Sequence, residues 1–278
     1  MMTDTKKTEQ VALTIAGSDP SGGAGIQADI KTFAIIGVYG GAVISCLTAQ
    51  NTHGVFAIEP VEPDLVHKQI DHVLNDLNVT HIKIGMLGSA MVAESICDTL
   101  KDYTGEIIYD PVLISSSGQE LITPKGHETI RSQLLPLCTV LTPNVPELSV
   151  LAEQNCSTKD TLHSAAVKLF QHSNKLRSVI ITGGHFEPAK NVITDFMLKT
   201  NTTTHQIDCE EISHPRIASN NTHGTGCTFS AAFTAYHLLT GDDSESFRRS
   251  TRYMETIIKN SASTKIGHGT GPLIHYLK

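Results

Sequence analysis

Apolar positions along the chain alternate between short continuous runs and helical stripes. Residues 11–16 (VALTIA) are a buried-type run with β-branched side chains, closed by Gly17-Ser18-Asp19-Pro20, the punctuation of a strand end. From Ala24 onward Ile26, Ile30, Phe33 and Ile36 recur at helical spacing, and Gly37 is placed to stop that helix. Residues 42–49 read as a second buried strand, and Val66, Ile70, Val73, Leu74 and Leu77 as a helical stripe. Further strands are expected at 81–85, 106–109, 139–141 and 179–181, with helical patterns between most of them. Such alternation predicts an α/β fold: a mainly parallel central sheet with helices on both faces. Residues 192–198 and 203–212, joined by a polar turn, predict an antiparallel pair at one edge, and two helices starting near Gly226 and Ser244 close the chain. No linker, repeat or charge block divides residues 11–278, which read as one domain behind a polar leader of residues 1–10.

Composition narrows the function. With 21 Lys and Arg against 28 Asp and Glu, the formal charge of −7 has the wrong sign for a nucleic-acid surface. No apolar run approaches a membrane span, and the leader lacks an apolar core, so a cytoplasmic protein with no membrane partner is expected. The six cysteines form no CxxC pair, and the fourteen histidines include no HExxH, which argues against a disulfide framework or a zinc centre.

Ligands of open α/β sheets bind beyond the carboxyl ends of the strands. Those ends carry Gly17-Ser18-Asp19, Thr48 to Asn51, Gly85-Met86, Asp110-Pro111-Val112, Thr142-Pro143-Asn144 with Glu147, and Thr182-Gly183-Gly184-His185. The loop from Gly17 to Gly25 has the glycine spacing of a P-loop, but Gly23 and Ala24 stand where Lys and Ser or Thr would hold phosphate and magnesium. It also matches a dinucleotide fingerprint, yet no acidic residue lies between Asp29 and Glu59 to meet a ribose. More informative is Asn221-Thr222-His223-Gly224-Thr225-Gly226-Cys227-Thr228, followed by a helix. Its amides would point from a helix N-terminus at an anion, although an ordinary glycine-bearing helix entry has the same pattern. Asn144 and Glu147 are equally open: a cap with a favourable charge, or a carboxylate holding Mg²⁺ through water.

Together these segments resemble the ribokinase-like superfamily, and within it the hydroxymethylpyrimidine/phosphomethylpyrimidine kinases of thiamine biosynthesis. The resemblance is carried by LTIAGSDPSGGAGIQADIKTF (13–33), TAQNT (48–52), KIGML (83–87), DPV (110–112), LTPNVPE (141–147), GGH (183–185), NTHGTGCT (221–228) and GHGTGP (267–272). It implies phosphorylation, dependent on ATP and Mg²⁺, of 4-amino-5-hydroxymethyl-2-methylpyrimidine and then of its monophosphate, by a homodimer. Substrate contacts carry over onto Gly17, Asp29, Gln50, Met86 and Val112. Nucleotide contacts fall on Asn144, Thr182, Gly184, His185 and Thr225, and a metal site on Asp110 and Glu147. Gly224, Thr225, Gly226 and Cys227 form the expected catalytic anion hole. A carboxamide such as Gln50 offers a donor and an acceptor to an aminopyrimidine edge, and Met86 an adaptable apolar wall.

Many superfamily members have Asp where Cys227 stands and use it as a base. A helix N-terminus lowers a thiol pKa, so a thiolate base at Cys227 is one expectation; phosphoryl transfer by positioning alone is the other. Two departures from the family pattern are Ser116 and Thr182, where relatives usually have Lys, each removing a cationic partner for phosphate. The alternatives are a pyridoxal or pyridoxine kinase, a binding protein without catalysis, and, more remotely, an oxidoreductase.

Overall fold

A computed structural model describes residues 9–114, 121–186, 191–201 and 206–276. Among these, nine strands form one sheet in the order β3-β2-β1-β4-β5-β6-β7-β8-β9. They are β1 (Val11–Ser18), β2 (Tyr39–Asn51), β3 (Gly54–Pro60), β4 (Val79–Ile84), β5 (Glu106–Tyr109), β6 (Val140–Leu141), β7 (Ser178–Ile181), β8 (Val192–Thr200) and β9 (Ile207–Pro215). The six from β2 to β7 in the sheet run parallel; β3 and the β8–β9 pair are antiparallel additions at opposite edges. The helices are α1 (Gly25–Ile36), α2 (Pro63–Asp76), α3 (Ala90–Leu100), α4 (Pro124–Thr129), α5 (Val145–Leu151), α6 (Lys159–Phe170), α7 (Thr225–Thr240) and α8 (Asp243–Ser261).

Strand alternation sends successive side chains to two different cores. Ile107 and Tyr109 join the larger one, with Leu13, Ile15, Ile82, Ile84 and the apolar faces of α2 to α6. Ile108, between them, joins Phe233, Phe247 and Ile257 of α7 and α8 on the other face. Helix α7 lies against the sheet with α1 beside it, and Ala231 and Ala235 let its backbone come close.

The expected parallel sheet and antiparallel edge are both present, and Gly37 does end α1 in the left-handed region, at φ 92°. Strand β3 was not anticipated, because its seven residues are all at least partly exposed and carry no strong apolar face. It pairs with the end of β2, where Gln50 lies opposite Val55 and Ala49 opposite Ala57, so that Phe56 is the extra residue of a bulge. Thr48 and Gln50 therefore keep to one face of β2. The first strand of the edge pair runs two residues longer than expected and the second starts and ends later, and residues 202–205 of the connection lie outside the described residues.

Candidate active site

The parallel strands deliver their carboxyl ends to one rim, and two glycine loops meet there. The loop after β1 is organised by Asp19. Its Oδ1 accepts from the amide (2.8 Å) and hydroxyl (2.7 Å) of Ser21, and its Oδ2 from the amides of Gly23 (3.1 Å) and Ala24 (2.9 Å). Burial raises the proton affinity of this carboxyl, but hydrogen bonds from His223 and Ser21 outweigh that and leave its pKa at about 2.

The second loop enters α7 through Gly224 at φ 82°, a conformation an L side chain resists. A side chain there would also meet the Gly23 carbonyl oxygen at 1.8 Å, so the two loops are in backbone contact. The adjoining His223 lies 2.8 Å from Asp19 Oδ2 and 3.2 Å from the Gln50 amide, while its own amide donates to the Gly271 carbonyl. Thus the segment of residues 267–272 closes over the same seam.

Gly17 and Met86 adjoin, and Gln50 reaches the same loop through Thr48, whose hydroxyl donates to the Ser18 carbonyl at 2.9 Å. A side chain at Gly17 would lie 3.3 Å from Met86 Sδ and 2.8 Å from Cys46 Sγ. Val112, half-buried, follows Asp110 in a turn where its amide donates to the Asp110 carbonyl.

Asp29 requires a correction. Its carboxylate is fully enclosed and engaged by Thr14 Oγ1 at 2.6 Å and by Lys83 Nζ at 3.0 and 3.1 Å, so it reaches the site only through Lys83. Lys83, also fully buried, lies 3.7 Å from Asp110 as well. Burial works against its charge, but Asp29, Cys227 and Asp110 more than compensate and hold the ammonium protonated.

Asp110 lies beneath the first turn of α7, with its Oδ1 3.8 Å from where a Gly226 side chain would begin. Its Oδ2 is buried without a hydrogen-bond partner. Burial raises its carboxyl, Lys83 opposes, Asp29 adds to the rise, and the pKa settles at about 6. Glu147 is pushed well above the usual carboxylate range by burial and by Asp110. Both readings of Glu147 meet here: Asn144 and Glu147 form a reciprocal capping box on α5, at 2.8 and 2.9 Å, yet the carboxylate also feels Asp110.

The thiolate expectation for Cys227 is overturned. Burial pushes its thiol up to about 12; Lys83 pulls the other way, but Asp110 and Asp29 reinforce the rise. Local desolvation and two carboxylates outweigh the helix dipole. At neutral pH Cys227 is a thiol, a hydrogen-bond partner of Asp110 rather than a proton acceptor.

Thr182 bridges to Asn144, its amide donating to Pro143, so the ends of β6 and β7 form one shelf. Gly183 donates to Asp195 Oδ1 at 2.7 Å, and Gly184 is exposed in a short turn ending at His185. The His185 side chain and Ser116 lie outside the described residues. Sequence reasoning gave no role to Asp19, Lys83 or His223, although all three stand inside the motifs. Two opposite charges set beside apolar positions, Asp29 between Ala28 and Ile30 of α1 and Lys83 between Ile82 and Ile84 of β4, were the available signal for a buried pair.

The arrangement can take an anion on the Gly226 and Cys227 amides in the first turn of α7 and neutralise cationic charge at Asp110 and Glu147. Residues 19–274 match the family described as phosphomethylpyrimidine kinase. The chain belongs to that family. It is 36% identical over 267 residues to the hydroxymethylpyrimidine/phosphomethylpyrimidine kinase of Escherichia coli K12, covering 95% of this chain and 97% of that protein. The crystal structure of the phosphomethylpyrimidine kinase of Clostridium difficile 630 superposes with a TM-score of 0.76 at 34% identity, over 89% of this chain and 99% of that one. The ADP complex of Bacillus subtilis pyridoxal kinase gives a TM-score of 0.83 at 31% identity, over 97% and 98% of the two chains. The ribokinase-like fold of this phosphomethylpyrimidine kinase family member thus agrees with the expectation drawn from its motifs.

Proposed function

We propose that the chain transfers the γ-phosphoryl group of ATP to the hydroxymethyl oxygen of 4-amino-5-hydroxymethyl-2-methylpyrimidine, and then phosphorylates the monophosphate, in thiamine biosynthesis. The observation that carries this reading is the 3.2 Å contact between Gln50 and His223. It joins a carboxamide suited to an aminopyrimidine edge to the loop whose next residues open α7. The ring sits among Gly17, Gln50, Met86 and Val112. The amides of Gly226 and Cys227 meet the phosphoryl oxygens, and the shelf of Asn144, Thr182, Gly184 and His185 receives the rest of the nucleotide.

Asp110 and Glu147 suit Mg²⁺. Among the described residues no group of three or more His, Cys, Asp or Glu could hold a metal, but magnesium needs few carboxylates when water and phosphate complete its shell. Asp110 Oδ2, which accepts no hydrogen bond and lies 3.7 Å from Lys83, is the kind of hard oxygen such an ion takes. Bound there, Mg²⁺ neutralises phosphate charge; the chain's own part is to orient donor and acceptor and hold them in a desolvated site. The Cys227 thiol lines the anion hole without acting as a base. In place of the ammonium that relatives have at Thr182, the α7 amides carry more of the phosphate charge.

No described helix is long and apolar enough to cross a membrane. We read residues 11–278 as a single kinase domain acting in the cytoplasm as a homodimer, on the support of the single sheet and the family resemblance. Mass spectrometry of products from the free alcohol, ATP and Mg²⁺ tests the reaction: monophosphate followed by diphosphate is expected. Turnover of pyridoxine but not of the pyrimidine would transfer the assignment to the other vitamin, and no product from either would end it.

A further inference from the structure

We propose that His223, anchored by Asp19, locks the Gln50 carboxamide in one orientation and thereby makes the site select an amino-substituted ring edge over an oxo-substituted one. The inference rests on the reading above, in which Gln50 faces a pyrimidine.

The argument is one of donors and acceptors. Asp19 Oδ2 receives two backbone N–H groups, from Gly23 and Ala24, and lies 2.8 Å from His223 Nε2. A carboxylate oxygen serving N–H donors is an acceptor, so His223 Nε2 carries a hydrogen toward it; a bare nitrogen would set two lone pairs face to face. The amide end of Gln50 that lies 3.2 Å from the same Nε2 must then be its oxygen, not its nitrogen. The two ends of a carboxamide are exchanged by turning it over, and the hydrogen-bond network decides between them.

With the oxygen toward His223, the rest of the chain of bonds closes. The Gln50 nitrogen, placed toward His223 with the oxygen 3.2 Å from Thr48 Oγ1, comes on turning the amide over to face Thr48 Oγ1 as a donor, and the Thr48 hydroxyl donates to the Ser18 carbonyl at 2.9 Å. In the opposite orientation the Thr48 hydrogen would serve two acceptors and an amide N–H would also face the Nε2–H, whereas here the one shared hydrogen is that of His223 Nε2, between Asp19 Oδ2 and the Gln50 oxygen. The ring of His223 packs against Gly23 so closely that a side chain on Gly23 would lie 2.4 Å from Cδ2.

Gln50 is left with one lone pair on the His223 side and one N–H on the Thr48 side. That ordered pair complements an edge presenting an exocyclic amino donor beside a ring-nitrogen acceptor. A 4-oxo ring presents the reverse order and would require the amide to turn over, against both anchors. Substrate-edge discrimination is strongest where a mismatch leaves buried polar groups unpaired.

The test compares kcat/KM for the 4-amino alcohol and its 4-oxo analogue, with ATP and Mg²⁺, in the natural protein, His223→Phe and His223→Gln. The natural protein should favour the amino alcohol. In His223→Phe this preference should fall about tenfold, the loss expected for one anchoring hydrogen bond, through a raised KM for the amino alcohol with KM for ATP unchanged. His223→Gln, which retains an N–H donor, should recover most of it. An unchanged preference in a His223→Phe protein that still turns over the amino alcohol would overturn the lock and leave the functional reading standing; turnover of neither alcohol by the natural protein would overturn both. Should His223→Phe not fold, long-range ¹H–¹⁵N correlation on the natural protein reads the imidazole directly: a hydrogen on Nε2 supports the lock, and an unprotonated Nε2 overturns it.

Discussion

Charged clusters sit at both ends of the parallel strands, and they are built to opposite standards. At the amino ends, Arg177 donates to Asp243 at 3.0 Å and to Glu106 at 2.5 Å. Asp243 also accepts from Ser178 at 2.6 Å, and His237 links Arg177 to His81 through contacts of 3.0 and 2.9 Å. Burial alone would raise the Asp243 carboxyl, but His237, Arg177 and Ser178 hold it well below the usual range. At the carboxyl ends, one buried ammonium, Lys83, faces Asp29 and Asp110, with Glu147 close enough to be felt, and Asp110 Oδ2, 3.7 Å from that ammonium, accepts no hydrogen bond. The first cluster is satisfied by the chain itself; the second is left short of positive charge and of donors. Complete pairing stabilises, whereas incomplete pairing is what the proposed Mg²⁺ and phosphate would complete.

That contrast is sharpest in what removal of one carboxylate does. Asp243→Ala should lower the unfolding free energy by about 2 to 3 kcal/mol, because it takes the acceptor from Ser178 and leaves Arg177 with Glu106 as its remaining carboxylate. At temperatures where the variant is folded, kcat should not move; a urea titration beside an assay checks both, and a loss below about 1 kcal/mol would dissolve the distinction.

Asp110→Asn should do the reverse at the other end, removing activity while raising stability near pH 7 by an amount on the order of 2 kcal/mol. The sign follows from the raised carboxyl. Its folded-state pKa of about 6 lies above the ordinary 3.8, so ionisation costs the fold stability above pH 6 and costs nothing below about 3.8. The variant's advantage in denaturation midpoint should therefore shrink from pH 7 to pH 4. A variant less stable than the parent at pH 7 would mean that Asp110 is fully compensated.

A smaller effect is expected from His81. Burial, with His237 beside it, lowers its pKa from 6.5 to about 4, so the fold keeps it neutral. The stability it permits is whole above pH 6.5 and declines as pH falls toward 4, by about 1 kcal/mol at pH 5.5. His81→Gln should flatten that part of the pH–stability curve, and an unaltered slope would assign the titration elsewhere. The smallest effect concerns Cys227→Ser, since a hydroxyl can replace a thiol donor. Turnover should fall less than about tenfold, without a new ionisation in its pH profile; abolished turnover would restore the base.

The sequence exposed this contrast unevenly. Strand runs such as VALTIA and the stripe on α1 are set by burial on the two sheet faces, so the parallel core and α1 could be read from periodicity alone. Strand β3 could not, because its residues face outward and its partner, not its own pattern, makes it a strand. The glycines at 224 and 23 advertised tight turns, but not that the turns touch. Charge compensation between Asp29 in α1 and Lys83 in β4 spans elements far apart in the chain, and no local spacing records it. The proton affinity of Cys227 likewise depends on neighbours from α1, β4 and the end of β5, which explains how a helix N-terminus, legible in the motif, gave the wrong direction.

The seam between Gly23 and Gly224 joins main chain to main chain with no side chain interposed. No substitution can widen or narrow it by degrees, since any added atom on Gly224 drives the loops apart. The part of the proposed acceptor pocket that side chains can retune therefore lies at the ends of β2 and β4, where Gln50 and Met86 stand, and not at the junction of the two loops.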